Sequence, residues 1–113
     1  MYDLLITMFK VSVMYPYQDD ARFDLEYYQN NHMKQVEKLM KPYGLIRTTL
    51  EKGISGGADL LPPYVWIGCL YFKTVDGYDL GIAETGNGLR EDIKNYIDIK
   101  PVRQNSEILW RFL

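Results

Sequence analysis

The sequence predicts an α+β fold whose elements run in the order βαββαβ. Three observations carry this. Four stretches have strand composition, either alternating or continuously apolar. Between the first two, apolar side chains recur at helical spacing. Pro16, the Pro42–Gly44 pair, the Gly53–Pro63 stretch and Pro101 punctuate the transitions. The chain has 113 residues, which gives one domain over residues 1–113. An apolar fraction of 47% and a charged fraction of 25% are those of a folded globular chain and argue against disorder.

The first strand is expected from Leu4 to Tyr15. Phe9, Val11, Val13 and Tyr15 share one face, and Met8, Lys10, Ser12 and Met14 share the other. A helix follows. Asp24 suits its N-cap, and Phe23 with Tyr28 stand at the positions of a hydrophobic staple. Leu25, Tyr28, His32, Val36, Leu39 and Tyr43 fall on one helical face, and Pro42 with Gly44 stop the helix. A second strand, Leu45–Lys52, mixes apolar and polar residues. The loop from Gly53 to Pro63 is longer than a tight hairpin needs, and it is weighed as a gate over a cleft. The third strand, Tyr64–Phe72, is apolar on both faces. Thr74 or Asp76 caps a weaker helix that is expected to break at Gly86-Asn87-Gly88 and to resume from Leu89 to Ile97. The last strand is expected over Val102–Ile108, followed by an apolar end, Leu109–Leu113.

This is the order of a ferredoxin-like four-stranded antiparallel sheet with two helices on one face. The first and third strands are then central, as their apolar composition requires. Two helices cover only one face, yet the third strand is apolar on both. A second sheet packed about 10 Å away covers such a face economically. A two-fold homodimer is therefore expected, with Val65, Ile67, Cys69 and Tyr71 toward the partner. Trp110 and Phe112 place the apolar tail against the partner or the subunit's own barrel end.

Net charge is −2, without a basic run, so nucleic-acid or anionic-membrane partners have no electrostatic support. No apolar run approaches the length of a membrane span. The lone Cys69 excludes an internal disulfide and fits a reducing compartment. Asp3 near the start is unlike a secretory signal, so a cytoplasmic location is expected.

Ten tyrosines are well above ordinary usage and suggest an aromatic-lined cavity, with an aromatic core as the alternative. Tyr15, Tyr27, Tyr28, Tyr64, Tyr71 and Tyr96 are the candidates to line it. His32, the single histidine, is the candidate catalytic acid/base, against a structural role as a satisfied core histidine. Tyrosine hydroxyls, Asn95 and Asp98 are its expected partners. Asn95 and Asp98 are also candidate ligand contacts, with helix-end or loop capping as the alternative. Cys69 reads as a buried structural residue rather than a nucleophile. The Gly53–Gly57 stretch lacks the ending of a phosphate loop. One histidine and one cysteine far apart do not make a closed metal site, and no cofactor is expected.

Phe9–Tyr17 (FKVSVMYPY) and Ala21–Met33 (ARFDLEYYQNNHM) resemble the opening of the EthD family, associated with ethyl tert-butyl ether degradation. Gly56-Gly57, Pro62-Pro63-Tyr64 and Ile67-Gly68 resemble its middle, and Asn95-Tyr96, Asp98-Ile99 and Pro101-Val102 its end. The resemblance spans Phe9 to Ile108. It implies a dimeric α/β barrel of ferredoxin-like subunits, akin to muconolactone isomerases, polyketide-modifying enzymes and cofactor-free monooxygenases. Some relatives bind haem, for which a single histidine is weak support. The family's helix histidine maps onto His32. The chain departs from the pattern at Lys34, where relatives commonly carry proline, and in its aromatic tail.

The expected function is a small cofactor-independent enzyme acting on a hydrophobic or aromatic metabolite. Isomerisation, decarboxylation or oxygenation are the reaction types in view. The alternatives are a non-catalytic binding or accessory protein and a purely structural dimer. A void under the first helix separates the last from the others.

Overall fold

The computed structural model describes residues 8–110. Strand β1 spans Met8–Pro16, β2 Leu45–Lys52, β3 Tyr64–Phe72 and β4 Val102–Ile108. They form one antiparallel sheet in the order β2-β3-β1-β4. The two most apolar strands are therefore central, and the charged ones are edges. The part of β1 expected from Leu4 to Thr7 lies outside the described residues, as do Arg111–Leu113 of the tail. β1 includes Pro16, with a register shift there against β3.

Helix α1 runs as an α turn at Leu25–Tyr27, a π-helical stretch at Tyr28–His32 and an α segment at Met33–Met40. A 3-10 turn at Lys41–Tyr43 closes it, and Gly44 follows with φ of 97°. That left-handed conformation suits glycine, which has no Cβ to clash. The start is capped as its sequence requires: the Asp24 carboxylate accepts from the Tyr27 N–H at 3.0 Å. The staple is in place too, with the Phe23 and Tyr28 rings 5.4 Å apart.

Helix α2 spans Val75–Asp92 without interruption, followed by a 3-10 turn at Ile93–Asn95. Thr74 caps it by accepting from the Gly77 N–H at 3.0 Å. The break expected at Gly86-Asn87-Gly88 does not occur, and Tyr96 and Ile97 lie beyond the helix. Glycine costs a helix only about 1 kcal/mol each. Buried Gly81, Gly86 and Leu89 pack this helix inward, which outweighs that cost.

Phe9, Val11, Val36, Met40, Phe72, Ile97 and Ile99 form the core between helices and sheet. On the opposite face lie Met8, Met14, Val65, Ile67, Cys69 and Tyr71, by strand alternation. Arg47 stacks on the Tyr71 ring there at 4.4 Å. No element of the described residues covers that face. Leu109 and Trp110 are 73% and 83% exposed, so the described part of the tail does not pack on its own subunit.

Candidate functional site

A cavity of about 190 Å³ lies between α1, α2 and the helix-covered face of the sheet. Its presence removes the filled-core alternative. Its walls are mainly apolar, including Val13, Val36, Leu70, Ile82 and Leu89. His32, Tyr15, Tyr28 and Tyr96 line it. Tyr64 and Asp98 do not. Tyr64 opens β3 opposite Pro16. The Asp98 carboxylate accepts from the Arg22 backbone N–H at 2.9 Å and so ties two loops together. Nor does any residue of the Gly53–Pro63 loop line the cavity.

The π-helical stretch decides what α1 presents to the cavity. It inserts a residue into the helical register. His32 and Met33, adjacent in sequence, are consequently both buried and both line the cavity. The simple helical face that places His32 inward misses Met33 for this reason.

His32 Nδ1 lies 2.9 Å from Asp92 Oδ2 at the end of α2. The other carboxylate oxygen accepts from the Tyr27 hydroxyl at 2.6 Å and the Asn95 amide at 2.9 Å. Asn95 thus holds Asp92 from behind and is not among the residues that line the cavity. Burial works against the Asp92 charge, but the donors Tyr27, Asn95 and His32 together hold its pKa below the ordinary carboxylate value. An ionised Asp92 makes Nδ1 the protonated nitrogen, which leaves Nε2 as a free acceptor.

Burial lowers the His32 pKa, against the opposing pull of Asp92, and the Arg103 charge lowers it further. His32 is therefore a neutral base at neutral pH. The unfolded chain takes up this proton first as pH falls. The contribution of His32 to stability is complete above its ordinary pKa of 6.5 and declines as pH drops below it. Melting temperature followed from about pH 8 to about pH 5 should fall in the acid half, and His32→Asn should flatten that fall. A decline of equal slope in the variant would show that other groups cause it.

The Tyr15 and Tyr96 hydroxyls are 2.9 Å apart. One donates to the other, which leaves one O–H for a ligand. Burial pushes the pKa values of Tyr15, Tyr28 and Tyr96 up, so all three are protonated donors at neutral pH. Gly68 makes room for this cluster, because a Cβ there would come within 2.8 Å of the Tyr28 hydroxyl. Among the described residues no group of three or more His, Cys, Asp or Glu side chains could hold a metal ion. No described helix is long and apolar enough to cross a membrane.

An EthD-like protein of Ralstonia eutropha superposes on this chain with a TM-score of 0.85 at 34% identity, covering 94% of this chain and 96% of that one. The chain belongs to the EthD-like family. A second EthD family protein, from Bacillus halodurans, matches with a TM-score of 0.62 at 16% identity, over 86% of this chain and 96% of that one. A hydroxynitrile lyase of Passiflora edulis shares the fold, with a TM-score of 0.62 at 11% identity over 94% and 97% of the two chains. No family model matches the sequence, and no curated protein does. The ferredoxin-like βαββαβ architecture of this EthD-like chain agrees with all three structures.

Among the polar contributors, Asp92, Arg90, Arg103 and the cavity-lining Tyr78 carry no site role in the sequence pattern. Asp92 is hidden by the expected helix break, which loses the phase of α2. With α2 continuous, Ile82, Gly86, Leu89 and Ile93 form one face, and Asp92 stands beside it. Arg103 and Arg90 also line the cavity. The alternation of β4 carries the signal for Arg103, because it is paired with the inward Val13.

Proposed function

We propose that this EthD-like protein is a small enzyme that moves a proton on an apolar, carbonyl-bearing metabolite. The observation that carries it is the His32–Asp92 pair opening on an apolar cavity. Nε2 takes a proton from the carbon beside the carbonyl. The C–H electron pair passes to the carbonyl oxygen, which accepts a hydrogen bond from a tyrosine O–H. Where a C=C adjoins that carbon, the pair spreads over a dienolate, and return of the proton to the far end of the C=C, as the double bond shifts into conjugation and the carbonyl re-forms, completes an isomerisation. All groups needed for this come from the chain, so the step is independent of a cofactor. A lyase on the same fold is in keeping with acid/base work.

The working unit in this proposal is a two-fold homodimer closed through the open sheet face, the dimeric α/β barrel. Its support is the apolar row Val65, Ile67, Cys69 and Tyr71.

The test is deuterium uptake. The protein is incubated in heavy water with a panel of aryl ketones and aryl keto acids, and the mass of each is followed. Enzyme-dependent gain of deuterium beside the carbonyl is expected. A small molecule that co-purifies and binds without exchange or conversion would instead assign a binding or accessory role.

A further inference from the structure

Two guanidinium groups stand at the cavity, Arg90 from α2 and Arg103 from β4. Among the described residues they are its only lining side chains of fixed charge, since no described Asp, Glu or Lys lines it. The chain as a whole carries a net charge of −2, so this cluster runs against the overall balance. Both arginines are exposed, which places them at the mouth rather than the floor. Neither forms an ion pair with a carboxylate among the described residues. Arg90 donates to the Asn87 side chain at 2.8 Å and lies against Gly86, where a Cβ would come within 3.1 Å of its guanidinium. A side chain at position 86 would push Arg90 from this place. Arg103 extends from an edge strand toward the same space. Burial raises the pKa values of Tyr15, Tyr96 and Tyr78, and the Arg103 charge offsets part of that rise and opposes protonation of His32, which agrees with a position facing all four.

We infer that Arg103 and Arg90 form an anion anchor, and that the substrate is an apolar acid whose carboxylate they hold at the mouth. The apolar body then occupies the floor beside His32. This deepens the proposed function, on whose cavity it rests. A planar fork of donors suits a carboxylate, and charge-assisted bonds are about twice as strong as neutral ones. The Arg103 charge also favours the neutral, base form of His32.

A matched pair of probes tests this. Phenylacetate and phenylacetamide have the same shape and differ in charge. Titration calorimetry should show phenylacetate held at least about tenfold more tightly by the wild-type protein. The Arg90→Gln/Arg103→Gln double variant should bind the two alike, with amide affinity unchanged as proof that the cavity is intact. Arg103→Lys, which keeps the charge, should retain part of the preference. Equal affinities in the wild type, binding of neither probe, or a preference that survives in the double variant would overturn the anchor. His32→Asn should leave the preference in place. Retained preference without deuterium exchange would therefore sink the catalytic reading alone, and equal affinities with exchange intact would sink the anchor alone.

Discussion

Replacing His32 with asparagine should lower deuterium exchange and turnover about 10²–10⁴-fold, the usual worth of a general acid/base. The fold should survive. The asparagine amide can still donate to Asp92, so no buried carboxylate is left without its partner. Asp92→Asn makes the complementary test. Its amide would donate to Nδ1 and move the ring proton to Nε2, which spoils the base without removing it. A loss of about 10²-fold or more is expected from the wrong tautomer. Melting temperature and exchange are to be measured on the same preparations. Exchange by His32→Asn within tenfold of wild type would remove the histidine from the mechanism. A binding role for the cavity would then remain.

Ile67→Asp should have the largest effect on assembly. Ile67 lies at the middle of β3 on the face away from the helices, opposite Met14 and Glu51. In the proposed dimer this face meets its own copy, over an area on the order of 1,600 Å² or more. The new carboxylate would be buried without a partner, beside Glu51. A cost of about 3 kcal/mol or more is expected, which weakens dimerisation over a hundredfold. Sedimentation across a concentration series reads this directly. A wild-type protein that sediments as a monomer at micromolar concentration would refute the dimer, and an Ile67→Asp protein that dimerises as tightly as wild type would move the interface elsewhere.

The fold was legible because each of its signals is local. β2, β3 and β4 follow from strand composition and bounding turns, and Asp24, Phe23, Gly44 and Thr74 mark helix ends by their own chemistry. The site was legible only in part. His32, Tyr15, Tyr28 and Tyr96 reach the cavity because helix and strand periodicity points them there. Asp92 depends on the phase of a helix across two glycines, where weak propensity conceals a continuity supplied by packing. Tyr64 and Asp98 are near the site in sequence pattern but are spent on strand entry and a loop tie. Nothing in the sequence pattern brings Arg90 and Arg103 together, since one-dimensional spacing does not show that two distant cations line one cavity.

The π-helical stretch at Tyr28–His32 sets helical regularity against the seating of the first turn. Removing one exposed residue from it, such as Gln29 or Asn30, would let α1 run as a regular helix with better backbone hydrogen bonding. The same deletion would rotate the first turn relative to the rest by roughly a quarter of a turn. His32 and Met33 would keep their places, while the Asp24 N–H would leave the Tyr96 carbonyl that it meets at 2.7 Å, and the staple of Phe23 on Tyr28 would pull against the segment that follows. A shorter chain would make the sounder helix and the poorer tie to Tyr96. The irregularity is thus a trade in which the protein gives up helical regularity to anchor the start of α1 and the segment that faces the cavity at the same time.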